Sequence, residues 1–138
     1  LQLVRSVHAA EIKTGLASSS PKELVDLALD RLNITGLFDL ILSGDQVARG
    51  KPAPDIYLTA ARELGVSREN CLVIEDAPHG VAAAKAAGMC CLALSTSAGE
   101  PELAAADRVV RGFDEVDLQL LQDLVQHRPQ RSQSTQRK

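Results

Sequence analysis

The stretch Leu72-Val73-Ile74-Glu75-Asp76-Ala77-Pro78-His79-Gly80 restricts the fold of this chain more than any other. Three apolar residues end in two adjacent carboxylates. Pro78 and Gly80 then lead into an Ala-rich helix over 81–87, which stops at Gly88. A buried strand that delivers acids to its C-terminal tip is how open α/β sheets present charge to a ligand. Glu75 and Asp76 have no cation beside them in sequence. They repel each other and ask for a metal or a proton.

The segments around this tip alternate between helix and strand. Residues 2–9 have helical spacing, with Leu3, Val4 and Val7 on one side. Residues 12–17 read as a weak strand, because Gly15 sits inside it. Ser20 suits an N-cap, Pro21 the first helical position, and Glu23 completes a capping box. That helix is expected to run to Leu32, with Leu24, Leu27, Ala28 and Leu32 as its buried stripe and Asn33 and Gly36 at its end. Leu40–Leu42 is a second strand, and residues 44–54 are a Gly- and Pro-rich loop. A helix follows from Asp55, as its cap, to Leu64, and Gly65 stops it. Further strands are expected at Leu72–Ile74, Cys90–Leu94 and Arg108–Val110, a helical turn at Pro101–Ala106, and a last helix from Asp114.

Strands that are near-continuous apolar runs are buried on both faces. The expected fold class is therefore α/β, a Rossmann-like three-layer sandwich with a parallel sheet flanked by helices. Right-handed crossovers place all strand tips on one edge. Ser18, the loop carrying Lys51, the Glu75-Asp76 pair and Ser95 then arrive there from different strands.

A chain of 138 residues, 45% hydrophobic and 2% aromatic, needs an aliphatic core. Residues 128–138 hold no apolar side chain and four basic ones, and are expected to be a disordered basic tail after a core domain over 1–127. The net charge of −3 hides this asymmetry, since residues 1–127 carry 11 basic against 18 acidic residues. An acidic body argues against nucleic-acid binding. No apolar run has the roughly 18 residues that a membrane span needs. Cys71, Cys90 and Cys91 lie in apolar runs and read as reduced core thiols, which points to a cytoplasmic protein.

Each candidate group has a plain structural alternative. Ser18 at a strand end can hold a phosphate with the free N–H groups of the next helix, or serve only as a turn. Lys51, fixed between Gly50 and Pro52, can neutralise a phosphoryl oxygen as a point charge or stand as a surface lysine. Glu75 and Asp76 form an oxygen site of the kind that takes Mg²⁺, with waters and a substrate phosphate completing the octahedron. His79 reads as a capping or exposed residue, and His8 and His127 as ordinary helix residues.

Three segments carry a family resemblance: Leu-Ala-Ser-Ser-Ser at 16–20, Gly-Lys-Pro-Ala-Pro-Asp-Ile-Tyr at 50–57, and Val-Ile-Glu-Asp-Ala-Pro-His-Gly followed by the Ala-rich helix at 73–89. In order and spacing the chain resembles the haloacid dehalogenase superfamily, in its beta-phosphoglucomutase and sugar-phosphatase branch, over residues 1–126. The resemblance implies that Ser18 binds the transferring phosphoryl group, with Ser19 contributing through its backbone. It implies that Lys51 balances the charge of nucleophile and phosphate, that Glu75 and Asp76 hold Mg²⁺, and that Ser20 and Lys22 face the substrate. The implied reaction moves a phosphoryl group from a small phosphorylated metabolite to an Asp nucleophile, then to water or to a sugar hydroxyl.

One departure weighs against activity. The family's nucleophile and its acid/base partner lie in an Asp-x-Asp motif on a first strand, and no Asp-x-Asp occurs here. The chain begins with Leu1, and its only Met is Met89, as expected of a fragment, a processed form or an incomplete gene model. The fold is thus expected to be incomplete at its N-terminus, without that strand and without the cap. Open strand edges in mid-sheet would then invite self-association or a partner chain. The alternative function is a non-catalytic short form that binds phosphate, Mg²⁺ or a partner. A nucleotide-binding module is disfavoured because no Gly-rich fingerprint follows any strand. A receiver-type domain is disfavoured because its acids would stand on the first strand.

Overall fold

The computed structural model describes residues 2–127, so the expected basic tail at 128–138 lies outside the described residues. Helix α1 (Gln2–Ala9) leads into strand β1 (Gly15–Ala17), helix α2 (Lys22–Leu32) and strand β2 (Leu40–Leu42). Helix α3 (Asp55–Leu64), strand β3 (Leu72–Glu75) and helix α4 (Pro78–Ala86) follow. Strands β4 (Cys90–Leu94) and β5 (Arg108–Val110) and helix α5 (Leu118–Gln126) complete the order. All strand pairs are parallel, but they form two sheets: β1 with β2, and β3-β4-β5. No ladder joins β1 to β3.

Strand β4 shows why the strands are apolar throughout, since all five of its residues are buried. Cys91 and Ala93 turn to a core shared with Ile56, Tyr57 and Ala61 of α3 and with Val81, Ala83 and Ala84 of α4. Leu92 and Leu94 turn to the other side, toward Val110, Leu3, Leu121 and Leu124. Alternation along one strand thus feeds two cores, and helices cover both faces. The many alanines let α4 lie close to the sheet, and Ala83, Ala84 and Ala87 are fully buried.

Several ends follow the residues that signal them. Asn33 adopts φ 54 and closes α2, and Gly65 adopts φ 69 and closes α3, both in the left-handed region that ends helices. Other expectations are corrected. Strand β1 is shorter than 12–17, because Thr14 is held by the Asp39 carboxylate at 2.8 Å and the Leu37 carbonyl at 3.0 Å. Ser20 is not a cap: Pro21 holds that position, and the Lys22 N–H points to Asp45 at 3.4 Å. The α2 stripe is also misplaced. Val25 and Leu29 are buried, whereas Leu24, Leu27 and Leu32 are 57%, 49% and 58% exposed, and Ala28 is exposed too. Asp55 does not cap α3; it accepts from Arg49 at 2.8 and 3.3 Å. The last helix begins at Leu118 rather than Asp114, because Asp117 takes the Leu120 N–H at 2.8 Å while Val116 stays extended and buried. No helix among the described residues is long and apolar enough to cross a membrane.

Candidate active site

The two half-sheets meet at their C-terminal tips through Lys51. Its ammonium lies 2.6 Å from Glu75 Oε1 at the end of β3 and 3.4 Å from the Ala17 carbonyl at the end of β1. Glu75 thus has a cation, supplied from 24 residues away rather than from its neighbours in sequence. The same Oε1 accepts from the Tyr57 hydroxyl at 2.5 Å, and Oε2 accepts from the Asp76 N–H at 3.2 Å. The Lys51 and Glu75 side chains are only 12% and 9% exposed. Lys51 also stands 5.1 Å from the centre of the Tyr57 ring, a cation–π distance.

This network determines protonation. Burial raises the Glu75 carboxyl, but the hydrogen bonds from Lys51 and Tyr57 and the Lys51 charge outweigh it. Glu75 therefore sits below its ordinary value and is ionised. Burial, then the bond to Glu75, pushes the Tyr57 phenol well above its usual range, so it remains a donor.

Two glycines make the arrangement sterically possible. A Cβ on Gly80, in the first turn of α4, would overlap the Glu75 carboxylate, so the bare backbone there is what admits Glu75. A Cβ on Gly44 would overlap the Ser19 carbonyl. Gly44 thus lets the loop after β2 lie against the serine loop, where its N–H donates to the Ser20 carbonyl at 3.1 Å.

The serine loop is held from both ends. The Ser18 N–H donates to the Leu42 carbonyl at 3.0 Å, and the Ser18 hydroxyl accepts from the Ser20 N–H at 3.2 Å. Ser18 is half-buried, and Ser19 and Ser20 are exposed. Buried Ser43 donates its hydroxyl to Asp45, whose carboxylate reaches the Lys22 N–H. Those two bonds hold the Asp45 carboxyl below its ordinary range. Ser18, Lys51 and Glu75 are therefore gathered at one edge. Lys22 is not gathered with them, because its ammonium pairs with Asp26 at 2.6 Å along the exposed side of α2.

Asp76 completes the edge. Its exposed carboxylate accepts from Ser97 at 3.3 Å. His79 is exposed. No three His, Cys, Asp or Glu side chains converge among the described residues. The donors that are present fit Mg²⁺ in kind, since they are hard carboxylate oxygens, but they make a partial set. One ammonium against two carboxylates leaves the edge with net charge of about −1. A phosphate dianion gains little from such a field until a divalent cation reverses its sign.

A model of the haloacid dehalogenase-like hydrolase family matches residues 1–88. This chain belongs to that family. It is 46% identical over 125 residues to the beta-phosphoglucomutase of Bacillus subtilis strain 168, covering 88% of this chain and 52% of that protein. It is 35% identical to a validoxylamine A 7'-phosphate phosphatase of Streptomyces hygroscopicus subsp. limoneus, covering 84% of this chain and 54% of that protein. The crystal structure of CbbY from Rhodobacter sphaeroides in complex with phosphate superposes with a TM-score of 0.80 at 33% identity, over 88% of this chain and 56% of that one. The chain thus spans about half the length of the relatives it matches.

No site role is legible in sequence for Tyr57, Gly44 or Asp45, and Gly80 reads there only as the start of a helix. Tyr57 had one legible signal: a helix starting at Asp55 places it in the first turn, close to the loop that holds Lys51. Asp45 joins its near neighbour Ser43 to the Lys22 N–H of a distant segment, and that second contact leaves no local trace.

Proposed function

We propose that this chain supplies the anion-binding and charge-balancing side of a Mg²⁺-dependent phosphoryl-transfer site. The parent activity is a phosphatase or phosphomutase acting on a small phosphorylated metabolite such as a sugar phosphate. The observation that carries this reading is the position of Lys51, within hydrogen-bond reach of both the serine tip and the acid tip. In this reading Ser18 and the N–H groups of the serine loop hold phosphoryl oxygens, Ser19 and Ser20 line the approach, and Lys51 offsets their charge. Lys22 reaches the substrate by releasing Asp26. Glu75 and Asp76 hold the Mg²⁺, which supplies charge neutralisation on the transferred group. Lys51 and Tyr57 keep Glu75 ionised for that task. Cys71, Cys90 and Cys91, none of them in a disulfide, agree with a cytoplasmic setting.

With no Asp-x-Asp in its sequence, the chain positions a phosphate but supplies no nucleophile. We therefore expect the 138-residue chain, alone with Mg²⁺ and an aryl phosphate, to hydrolyse no faster than buffer. Robust turnover that Asp76→Asn abolishes would overturn this. A second reading, a non-catalytic binder of phosphate and Mg²⁺, draws on the same observation, since the site is assembled without a nucleophile.

A further inference from the structure

Strands β1 and β2 stop at Ala17 and Leu42, but the two segments stay tied beyond their ends. The Ser18 N–H donates to the Leu42 carbonyl at 3.0 Å, and the Gly44 N–H donates to the Ser20 carbonyl at 3.1 Å. The third tie is made by a side chain: Asp45 accepts the Lys22 N–H at 3.4 Å. The serine loop therefore takes its course from the residues that follow β2.

The third tie answers a need of α2. Pro21 holds the N-cap position of that helix and offers no side-chain acceptor. The first N–H groups of a helix have no partner within it, and their partial positive charge favours an acid nearby. Asp45 supplies that acid from 23 residues away. Its aim is fixed from behind. Ser43 is 1% exposed, its hydroxyl donates to Asp45, and its N–H donates to Gln46 Oε1 at 2.8 Å. Gln46 Oε1 also lies 2.9 Å from that hydroxyl, but the carboxylate is charged and is the stronger acceptor. One carboxylate thus joins a buried hydroxyl to the start of α2.

The consequence falls on Ser18. Its hydroxyl oxygen accepts the Ser20 N–H at 3.2 Å, which leaves its own proton for a phosphoryl oxygen. That turn closes only while Ser20 stays where Gly44 holds its carbonyl and where Asp45, through Lys22 and Pro21, holds the chain that follows.

We propose that Asp45 is a positioning residue of the phosphate site. It touches no phosphoryl oxygen; it fixes the turn that presents Ser18 and the N–H groups of the serine loop. The inference rests on the phosphoryl-transfer reading of this site. A cap that served stability alone would make the same bonds, so the test must separate the two roles.

The test titrates the full 138-residue chain with Mg²⁺ alone, then with inorganic phosphate in saturating Mg²⁺. The amide shifts of Asp76 and of residues 18–20 are followed. Asp45→Ala should weaken phosphate binding at least about tenfold, as expected for one lost hydrogen bond to a charged group. Mg²⁺ affinity should stay within about twofold of the unsubstituted chain, because the acid tip makes no contact with Asp45. Asp45→Asn keeps an acceptor for the Lys22 N–H and removes the charge, so it should bring phosphate affinity back to within about threefold. Equal losses of phosphate and Mg²⁺ affinity in Asp45→Ala would mean general damage and would overturn the proposal. Unchanged phosphate binding would overturn it too, and tighter binding would make Asp45 only a repelling charge. If Asp45→Ala does not fold, Ser43→Ala, which releases the carboxylate, decides: phosphate affinity equal to that of the unsubstituted chain would overturn the proposal. An unsubstituted chain that binds Mg²⁺ but no phosphate would overturn the phosphoryl-transfer reading and this inference with it, an outcome distinct from all the others.

Discussion

Replacing Gly80 by Ala separates two opposing effects by their sign. In an ordinary helix this change stabilises by about 1 kcal/mol, because Ala loses less backbone entropy than Gly. Here the new Cβ would overlap the Glu75 carboxylate, so Glu75 must leave Lys51 and Tyr57. Breaking a fully buried ion pair costs about 3–5 kcal/mol. With Lys51 and Glu75 12% and 9% exposed, the low end, about 3 kcal/mol, is appropriate. The net expectation is a loss of about 2 kcal/mol. Urea unfolding followed by far-UV circular dichroism reads this directly. At a slope of about 1.5 kcal/mol per molar urea, the midpoint should fall by roughly 1.3 M. In a Glu75→Ala background the obstacle is gone, and the same Gly80→Ala change should raise the midpoint by roughly 0.7 M. A Gly80→Ala protein as stable as the parent, or more so, would refute the reasoning, because Glu75 would then not lie where the Cβ must go.

Two paired carboxylates set the acid response. Glu75 is held below its ordinary value of 4.5 by Lys51 and Tyr57, and Asp107, which accepts from Lys85 and from the Cys91 N–H at 2.7 Å each, is held below 3.8. Both contribute stability that is fully present above those values and is lost as pH falls through the lower folded ones. Urea midpoints should therefore change little between pH 7 and about 5 and drop below about 4.5, and Glu75→Gln should flatten part of that drop. The thiols provide a separate check. Cys90 and Cys91 are buried and Cys71 is half-buried. Burial pushes the Cys91 thiol up to about 12 and raises that of Cys71. A disulfide reagent at pH 8 should modify at most one thiol quickly in the folded chain and all three in guanidinium. Rapid modification of all three in the folded state would contradict the packing of β4.

The features legible in the sequence are those set locally. The run Leu72–Ile74 ending in two acids reads as a strand tip because its side chains and its neighbours in the chain determine it. Asn33 and Gly65 read as helix ends because their backbone conformation is local. The burial of α2 was not legible. Apolar residues at 24, 25, 27, 28, 29 and 32 wrap more than one face, so spacing alone selects the richer stripe. Only Val25 and Leu29 of that set are buried, on the side of α2 that meets the turn at Thr35–Leu37. In the site, Ser18, Lys51, Glu75 and Asp76 were legible as a set, because strand tips in a parallel sheet share an edge. What Glu75 does there was not. Its cation and its phenol come from residues 50–57, a segment distant in sequence, and that convergence is tertiary, whereas the glycine that admits it lies five residues on in its own stretch.

The central claim is that the serine loop, Lys51 and the acid pair form one phosphate site whose negative field needs a divalent cation. Amide chemical shifts of the full chain, titrated with inorganic phosphate in the presence and absence of Mg²⁺, test it most directly. Saturating shifts at Ser18, Ser19, Ser20 and Asp76 that appear with Mg²⁺ present and largely vanish without it are predicted. Shifts confined to one tip, or the same in both conditions, or none at phosphate concentrations of roughly 10 mM with Mg²⁺ present, would contradict the account.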